Sequence, residues 1–377
     1  MPVSRFLDVH VLQTVPPSNL NRDDAGSPKQ AIYGGARRAR VSSQAWKRAT
    51  RTAFAERMPK ADLATRTKQI SGLLTRRLAG THQLSVEDAA RISNALLKPL
   101  KIKPSKKNAE QTSYLLFFGY PQLDAIAKTV DGRIAELVGL DDDALAKAVQ
   151  EVDVEKILGT GHPVDVALFG RMVAEIPNLN VDAACQVAHA ISTHPVEIEF
   201  DYYTAVDDEN TREETGAGMI GTVEFNSATL YRYATLGLAQ LETNLGGAEA
   251  VPDAVELFVD CFGRSIPSGH ANSFAHRTLP SLVAVVARED QPVNLVSAFE
   301  KPVRSREGVL AESVSLLAAE LTNATTNWGQ RPVRVLACYN DGSEGVVDAF
   351  GASTPFPDLL TELKQFTADW LTRDSTR

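Results

Sequence analysis

The chain has 377 residues, and its 44% hydrophobic and 23% charged residues exclude wholesale disorder while leaving room for two or three domains, or one large domain with insertions. Three scattered cysteines exclude a disulfide framework. The lack of a secretory signal or of a ~20-residue apolar span predicts a cytoplasmic protein with no membrane partner. The net charge of −8 argues against a protein whose whole surface binds nucleic acid.

The first predicted element is a strand over residues 5–15, where Leu7, Val9 and Val11 alternate with polar side chains. Residues 16–35 contain several Pro, Asn and Gly residues and predict a turn-rich loop. A helix is expected from Ser42–Ser43, whose hydroxyls are good N-caps, to about residue 58.

The middle of the chain is predicted to be mainly helical. Its pattern favours helices at residues 63–78, 85–97, 109–118, 141–157, 164–176 and 182–193, the second of them starting at a capping box from Ser85 to Asp88. Strands are then expected at 196–206, 222–241, 280–288 and 332–339, and helices at 252–264, 309–321 and 356–371. This order predicts an α+β fold with a helical insertion and a long β-hairpin over 196–226.

Positive charge is concentrated in one segment. Residues 25–55 include seven basic side chains and no acidic one, so these 31 residues carry +7 and the remaining 346 carry −15. On a helix from Ser43, the side chains of Gln44, Lys47, Arg48 and Arg51 share one face, opposite Trp46, Ala49, Thr50 and Ala53. The segment predicts a cradle for a phosphodiester backbone, and a solvated basic helix face is the alternative.

Several motifs resemble the CasC family, the repeated backbone subunit of type I-E CRISPR Cascade complexes. They are Asn19-Leu-Asn-Arg-Asp-Asp24, Ala31-Ile-Tyr-Gly-Gly35, Arg37-Arg-Ala-Arg-Val-Ser-Ser-Gln44, Gly170-Arg-Met172, His189-Ala-Ile-Ser-Thr-His194, Tyr202-Tyr-Thr-Ala-Val-Asp-Asp208, Leu230-Tyr-Arg-Tyr233 and Asn244-Leu-Gly-Gly247. The resemblance runs along most of the chain and is weakest in the helical region and after about residue 305.

The resemblance implies a subunit shaped like a right hand. An RRM-like (ferredoxin-like) palm would comprise residues 1–59 and 181–377, helical fingers residues 60–180, and a β-hairpin thumb residues 196–226. Several copies would polymerise along one CRISPR guide RNA, kink it periodically and present it to target DNA together with other Cascade subunits. The chain would be a scaffold and not an enzyme.

The resemblance also implies roles for individual residues. Guide backbone contacts are expected from Lys29, Arg38, Arg40, Ser42, Gln44, Lys47 and Arg51, with Arg48 on the same helix face. Ala36 replaces a basic residue of the family, so one phosphate contact is expected to be lost or shifted to Arg37. The kinked segment of the guide would be packed by Met172, Tyr202, Tyr203, Thr204 and Val206.

Two further features leave alternatives open. Lys103, Lys106 and Lys107 lie in a basic stretch broken by proline, which favours sequence-blind contact with target DNA or, equally, a solvated loop. Asp23 and Asp24 could hold Mg²⁺ for RNA cleavage, which makes a metal-dependent RNase the alternative function, although such pairs usually form turns. The histidines show no metal-site spacing, so neither a metal nor another cofactor is predicted.

Overall fold

The computed structural model describes residues 4–100, 112, 115–174, 176–205, 219–340 and 342–372. The strands are β1 (Phe6–Ser18), β2 (Gln30–Tyr33), β3 (Ala36–Val41), β4 (Ala64–Thr67), β5 (Leu116–Gly119), β6 (Cys185–Val187), β7 (Ala190–Ser192), β8 (Glu199–Ala205), β9 (Met219–Gly237), β10 (Leu282–Arg288) and β11 (Arg334–Tyr339).

The α-helices of the same residues are α1 (Ser43–Arg57), α2 (Ile70–His82), α3 (Val86–Leu97), α4 (Tyr120–Lys128), α5 (Ile134–Val138), α6 (Asp142–Ala148), α7 (Val154–Gly159), α8 (Val164–Phe169), α9 (Leu238–Leu245), α10 (Val251–Arg264), α11 (Ala271–Phe274), α12 (Leu310–Trp328), α13 (Glu344–Phe350) and α14 (Phe356–Thr372). Within the described residues, no helix is both long and apolar enough to span a bilayer.

A large antiparallel sheet organises the strands. Its order is β11-β10-β1-β9-β7-β3-β2, and β6 and β8 also pair with β9. A second, two-stranded sheet is formed by β4 and β5. The combination of antiparallel sheets with many helices confirms the predicted α+β class.

The chain forms two compact units. The first comprises Met1–Ala53, Gln186–Gly237 and Val255–Arg377, and the second comprises Phe54–Cys185 and Leu238–Ala254. Residues 238–254, which the sequence analysis places in the palm, therefore belong to the second unit. The division into palm, fingers and thumb stays a prediction.

In the first unit β1 is buried along both of its faces, although its alternating pattern is typical of a half-buried strand. Side chains of other strands form hydrogen bonds and an ion pair with the buried polar side chains of β1. The Asp8 carboxylate forms a fully buried ion pair with Arg288 at 2.9 Å and accepts a hydrogen bond from the Tyr233 hydroxyl at 2.8 Å. The His10 Nδ1 lies 2.9 Å from the Tyr231 hydroxyl. One core of this unit packs α12 and α13 over the sheet around Leu317, Phe299 and Phe350.

The second unit has its own apolar core, built mainly by α2, α3 and α4 around residues such as Leu74, Ile92 and Phe118. The predicted cap of α3 is confirmed, because the Ser85 hydroxyl accepts the Asp88 amide at 3.0 Å. Helices are predicted over residues 63–78 and 109–118, but residues 64–67 and 116–119 instead pair as β4 and β5. Short apolar runs fit either element, and the pairing partner here lies about fifty residues away in sequence.

The predicted helix over 182–193 is wrong. The segment forms β6 and β7, and β7 lies between β9 and β3 in the large sheet, with Ile191 opposite both Tyr231 and Arg40. The spacing of Ala184, Val187 and Ile191 suits a helix, but pairing of β7 with the distant strands β3 and β9 overrides this local pattern. This strand brings residues 186–192 next to the basic segment.

Candidate nucleic-acid interface

The basic segment folds as a β-hairpin followed by a helix, whereas the sequence predicted a loop followed by a helix. Strands β2 and β3 are antiparallel, with Gln30 opposite Ala39 at one end and Tyr33 opposite Ala36 next to the turn. The turn residues Gly34 and Gly35 have φ values of +58° and +71°, a region that glycine adopts without steric cost. A Cβ on Gly34 would lie 1.6 Å from the Glu300 carbonyl oxygen, so the turn packs directly on that backbone.

Arg38 departs from its predicted role. Its side chain is fully buried, and its guanidinium donates to the carbonyl oxygens of Ser192 at 2.8 Å and Phe299 at 2.7 Å. Burial lowers the Arg38 pKa below its ordinary value. In this structure Arg38 therefore joins β3 to the segment at residues 295–300 and does not present its charge at the surface.

The other basic side chains of the hairpin reach the surface. Arg37 is exposed and its Nη1 donates to the Gln30 side chain at 2.6 Å. Arg40 is half-buried, with Nε donating to the Gln30 carbonyl at 3.1 Å, and its backbone N–H donates to the carbonyl oxygen of the half-buried Lys29 at 2.9 Å. Lys29 and Arg40 both line a small cavity of about 20 Å³ together with Asn21 and Asn226.

Ser42 begins the helix. Its hydroxyl accepts a hydrogen bond from the Ala45 backbone N–H at 3.3 Å, which is N-cap geometry. Its own backbone N–H donates to the Asn21 Oδ1 at 2.9 Å. Since the Ser42 hydroxyl and amide both have protein partners, the residue sets the start of α1. The predicted start at Ser43 and end near residue 58 agree with the observed bounds of α1.

The two faces of α1 are separated as expected. Gln44 and Arg48 are exposed and Lys47 and Arg51 are half-buried, while Trp46 and Thr50 are fully buried. The Trp46 ring lies 3.8 Å from the guanidinium carbon of Arg232. Arg232 is itself buried, which lowers its pKa to about 9, and it donates to Gln13 at 2.6 Å. This contact fixes the helix on the sheet with its cationic face outward.

The residues Asp23 and Asp24 precede this hairpin and are both exposed. The Asp23 carboxylate accepts the amides of Ala25 at 2.9 Å and Ser27 at 3.0 Å. These are the hydrogen bonds of a turn-forming aspartate. Among the residues that the structure describes, no group of three or more His, Cys, Asp or Glu side chains could hold a metal ion.

The long hairpin carries exposed aromatic side chains. On β8, Tyr202 is 63% and Tyr203 40% exposed, and Thr204 is exposed as well. The Tyr203 ring lies over Gly221 of β9, where a Cβ would come within 2.4 Å of it. Phe200, which is not among the predicted site residues, is 67% exposed and lies on the same face of β8 as Tyr202. Val206 lies outside the described residues.

In the second unit, Met172 is 85% exposed beside a buried arginine of the same motif. Arg171 donates to the carbonyl oxygens of Leu179, Phe117 and Leu158 at 2.6–3.0 Å, so it holds together three segments of this unit. The motif thus combines a structural arginine with an exposed apolar side chain. Lys103, Lys106 and Lys107 lie outside the described residues.

The fold and this surface define a mixed α+β protein with a localised cationic hairpin and helix on an acidic body. The profile of the CT1975-like protein family matches residues 7–361. The chain therefore belongs to this CRISPR-associated family and has a CRISPR-associated role.

Solved structures agree with the family. A chain of a "CRISPR RNA-guided surveillance complex, pre-nicking" is 31% identical with a TM-score of 0.81, and the match covers 96% of this chain and 100% of that one. A chain of a "CRISPR RNA-guided surveillance complex" is 28% identical with a TM-score of 0.72, covering 96% and 99%. No curated protein sequence matches.

Proposed function

We propose that this chain is the non-catalytic, CRISPR-RNA-binding backbone subunit of a type I-E Cascade complex. Several copies polymerise along one guide RNA in the cytoplasm, kink it at regular intervals and present it for pairing with target DNA, together with other Cascade subunits. The observation that carries this proposal is that consecutive elements of the chain place cationic and polar side chains at accessible positions, which are Arg37 and Arg40 on β3 and Gln44, Lys47, Arg48 and Arg51 on one face of α1.

The chemistry of this surface suits a phosphodiester backbone. Guanidinium groups bind phosphate oxygens in a bidentate manner, and a lysine adds a point charge. Such contacts neutralise phosphates and carry no base information, so every guide sequence is held alike and base pairing selects the target. The exposed rings of Tyr202 and Tyr203 offer flat apolar surfaces on which unstacked bases can lie.

The test is binding of the full chain to a fluorescently labelled CRISPR RNA, followed by fluorescence polarisation across a salt series. We expect tight and cooperative binding whose logarithm falls steeply with the logarithm of salt concentration, because each bound phosphate releases counterions. A gel of the same RNA after incubation with Mg²⁺ is expected to show intact strands.

Two outcomes would contradict the proposal. Absence of binding at low salt would mean that the basic surface serves a protein interface. Cleavage of the RNA by the unaltered chain, but not by the Asp23→Asn and Asp24→Asn variants, would favour the alternative RNase. Guides of unrelated sequence form the matched control, since a backbone subunit should bind them with equal affinity.

A further inference from the structure

His189 lies beside the cationic hairpin and was not selected as a site residue from the sequence. It is exposed and sits between β6 and β7. Pairing of β7 with β3 places Ile191 opposite Arg40 and so brings the preceding residues of the chain next to β3. The Arg40 Nη1 donates to the His189 Nδ1 at 3.0 Å.

This hydrogen bond fixes the tautomer of His189. A guanidinium has only donors, so the Nδ1 must be the acceptor and the ring proton must be on Nε2. Partial burial lowers the His189 pKa, and the positive charges of Arg40 and Lys29 lower it further. The imidazole is therefore neutral at neutral pH. No described residue accepts a hydrogen bond from its Nε2–H.

The charges around His189 are not balanced by acids. Lys29 and Arg40, which are the cations acting on the ring, form no ion pair with a carboxylate in the described parts of the chain. The two cations act on the ring that carries the outer N–H donor, and donors of this kind suit an anion with several oxygens.

Resting on the proposed function, we propose that His189 is an RNA-contacting residue that donates its Nε2–H, as a neutral imidazole, to a phosphodiester oxygen held by Lys29 and Arg40. Arg40 has two tasks in this site. Its positive charge attracts the phosphate, and its hydrogen bond to Nδ1 orients the imidazole so that the Nε2–H faces the ligand. The ligand class is a single-stranded RNA backbone, and the contact is independent of the base.

The test compares two amides at this position in the full chain. The side-chain amide of asparagine can occupy the position of the imidazole Nδ1. The longer side chain of glutamine places its amide near the position of Nε2. His189→Asn keeps a partner for Arg40 and removes the outer donor, so the affinity for a labelled mixed-sequence RNA should fall about tenfold at constant salt and pH. His189→Gln retains an outer donor and should bind nearly as the unaltered chain does.

The salt dependence separates a neutral donor from a cation. His189→Asn should leave the slope of log affinity against log salt unchanged, whereas Arg40→Gln should reduce it by about 0.7, the value for one phosphate of a single strand. An unchanged affinity of His189→Asn, or a slope reduced as in Arg40→Gln, would overturn the role of His189 while the proposed function stands. If the unaltered chain binds no RNA, the proposed function itself fails and this inference with it.

Discussion

Arginine side chains of β3 show how strongly position alters the role of one residue type. Arg38 is covered by Phe299 and Glu300, which are about 260 residues away in sequence, and its donors are used by backbone carbonyls. Arg37 and Arg40 lie beyond this cover and reach the surface. Substitution of Arg38 therefore tests the stability of the hairpin, and substitution of Arg37 or Arg40 tests contact with a ligand.

The turn of the hairpin leads to the first prediction. In Gly34→Ala the added methyl group would overlap with the Glu300 carbonyl oxygen, and alanine would have to adopt a φ near +58°. We expect the free energy of unfolding to fall by about 3 kcal/mol, which combines about 1–2 kcal/mol for the left-handed conformation with about 1–3 kcal/mol for overpacking. Urea denaturation followed by tryptophan fluorescence measures the change.

Gly35→Ala is the matched control. Gly35 has a φ of +71°, but nothing lies within 4 Å of the position that its added methyl group would take, so only the conformational cost applies, about 1–2 kcal/mol. Equal losses for the two variants would show that the close packing of Gly34 on Glu300 contributes nothing. A larger loss for Gly34→Ala would show that the close packing of this turn on Glu300 stabilises the protein.

The buried His10 leads to a prediction on acid stability. Burial, with a smaller effect of the Arg288 charge, lowers the His10 pKa from 6.5 to about 3. Below pH 6.5 the unfolded chain binds a proton at this histidine and the folded chain does not. The free energy of unfolding should therefore fall between pH 6.5 and about 3, by at most about 1.4 kcal/mol per pH unit for one such histidine.

His10→Gln removes this titration. Its stability at pH 7 should be lower because the contact with Tyr231 is altered, but its stability should depend less steeply on pH between 6 and 4 than that of the unaltered chain, as urea titrations at each pH would show. His270→Gln replaces a half-exposed histidine and serves as control. Parallel curves for His10→Gln and the unaltered chain would contradict the argument.

At the scale of elements, α1 has one face that packs in the core and an opposite face that carries accessible cationic side chains. Trp46 and Thr50 anchor the helix through the buried side, where Trp46 packs on Arg232. The opposite side carries positive charge without an acidic residue in the helix until Glu56. The anchor can therefore be kept intact while the charged face is changed.

This separation supports a prediction for Lys47→Gln combined with Arg51→Gln. We expect the affinity for guide RNA to fall about tenfold or more for every guide sequence, and the salt slope to fall by about 1.4, because two phosphate contacts are lost. Fluorescence polarisation measures both. The thermal midpoint of the double variant is measured as well, so that a loss of stability can be distinguished from a loss of RNA contacts.

Lys128→Gln combined with Arg133→Gln is the matched control, because it removes the same charge from surface positions of the second unit. Its RNA affinity should stay near that of the unaltered chain. An equal loss in both double variants would indicate that net charge, and not the α1 face, governs binding. A loss limited to some guide sequences would contradict a backbone scaffold.

For the whole molecule, the distribution of charge matters more than its sum. The net charge of −8 combines a strongly basic segment with an acidic remainder. An acidic body repels nucleic acid, so the strand is attracted to one surface. This arrangement fits the proposed backbone subunit, which would hold a guide strand in one place and leave its bases accessible to a second strand.

The proposed contact with target DNA gives the last prediction. Charge reversal of Lys103, Lys106 and Lys107 to glutamate should weaken DNA binding by the guide-loaded assembly, because three sequence-blind phosphate contacts become repulsive. Guide binding should be unchanged. Electrophoretic mobility shifts with complementary DNA, and polarisation with guide RNA alone, measure the two. Unchanged DNA affinity would favour the solvated-loop alternative.

The sequence by itself determined the α+β class, the bounds of α1 and the opposition of its two faces, because these depend on local periodicity and capping. It also located the basic segment. It did not determine that residues 182–193 form strands, that Arg38 is buried or that His189 contacts Arg40. Only the tertiary structure decided these features, because each depends on a partner far away in the chain. Local side-chain patterns do not predict which distant group will form a hydrogen bond with a residue.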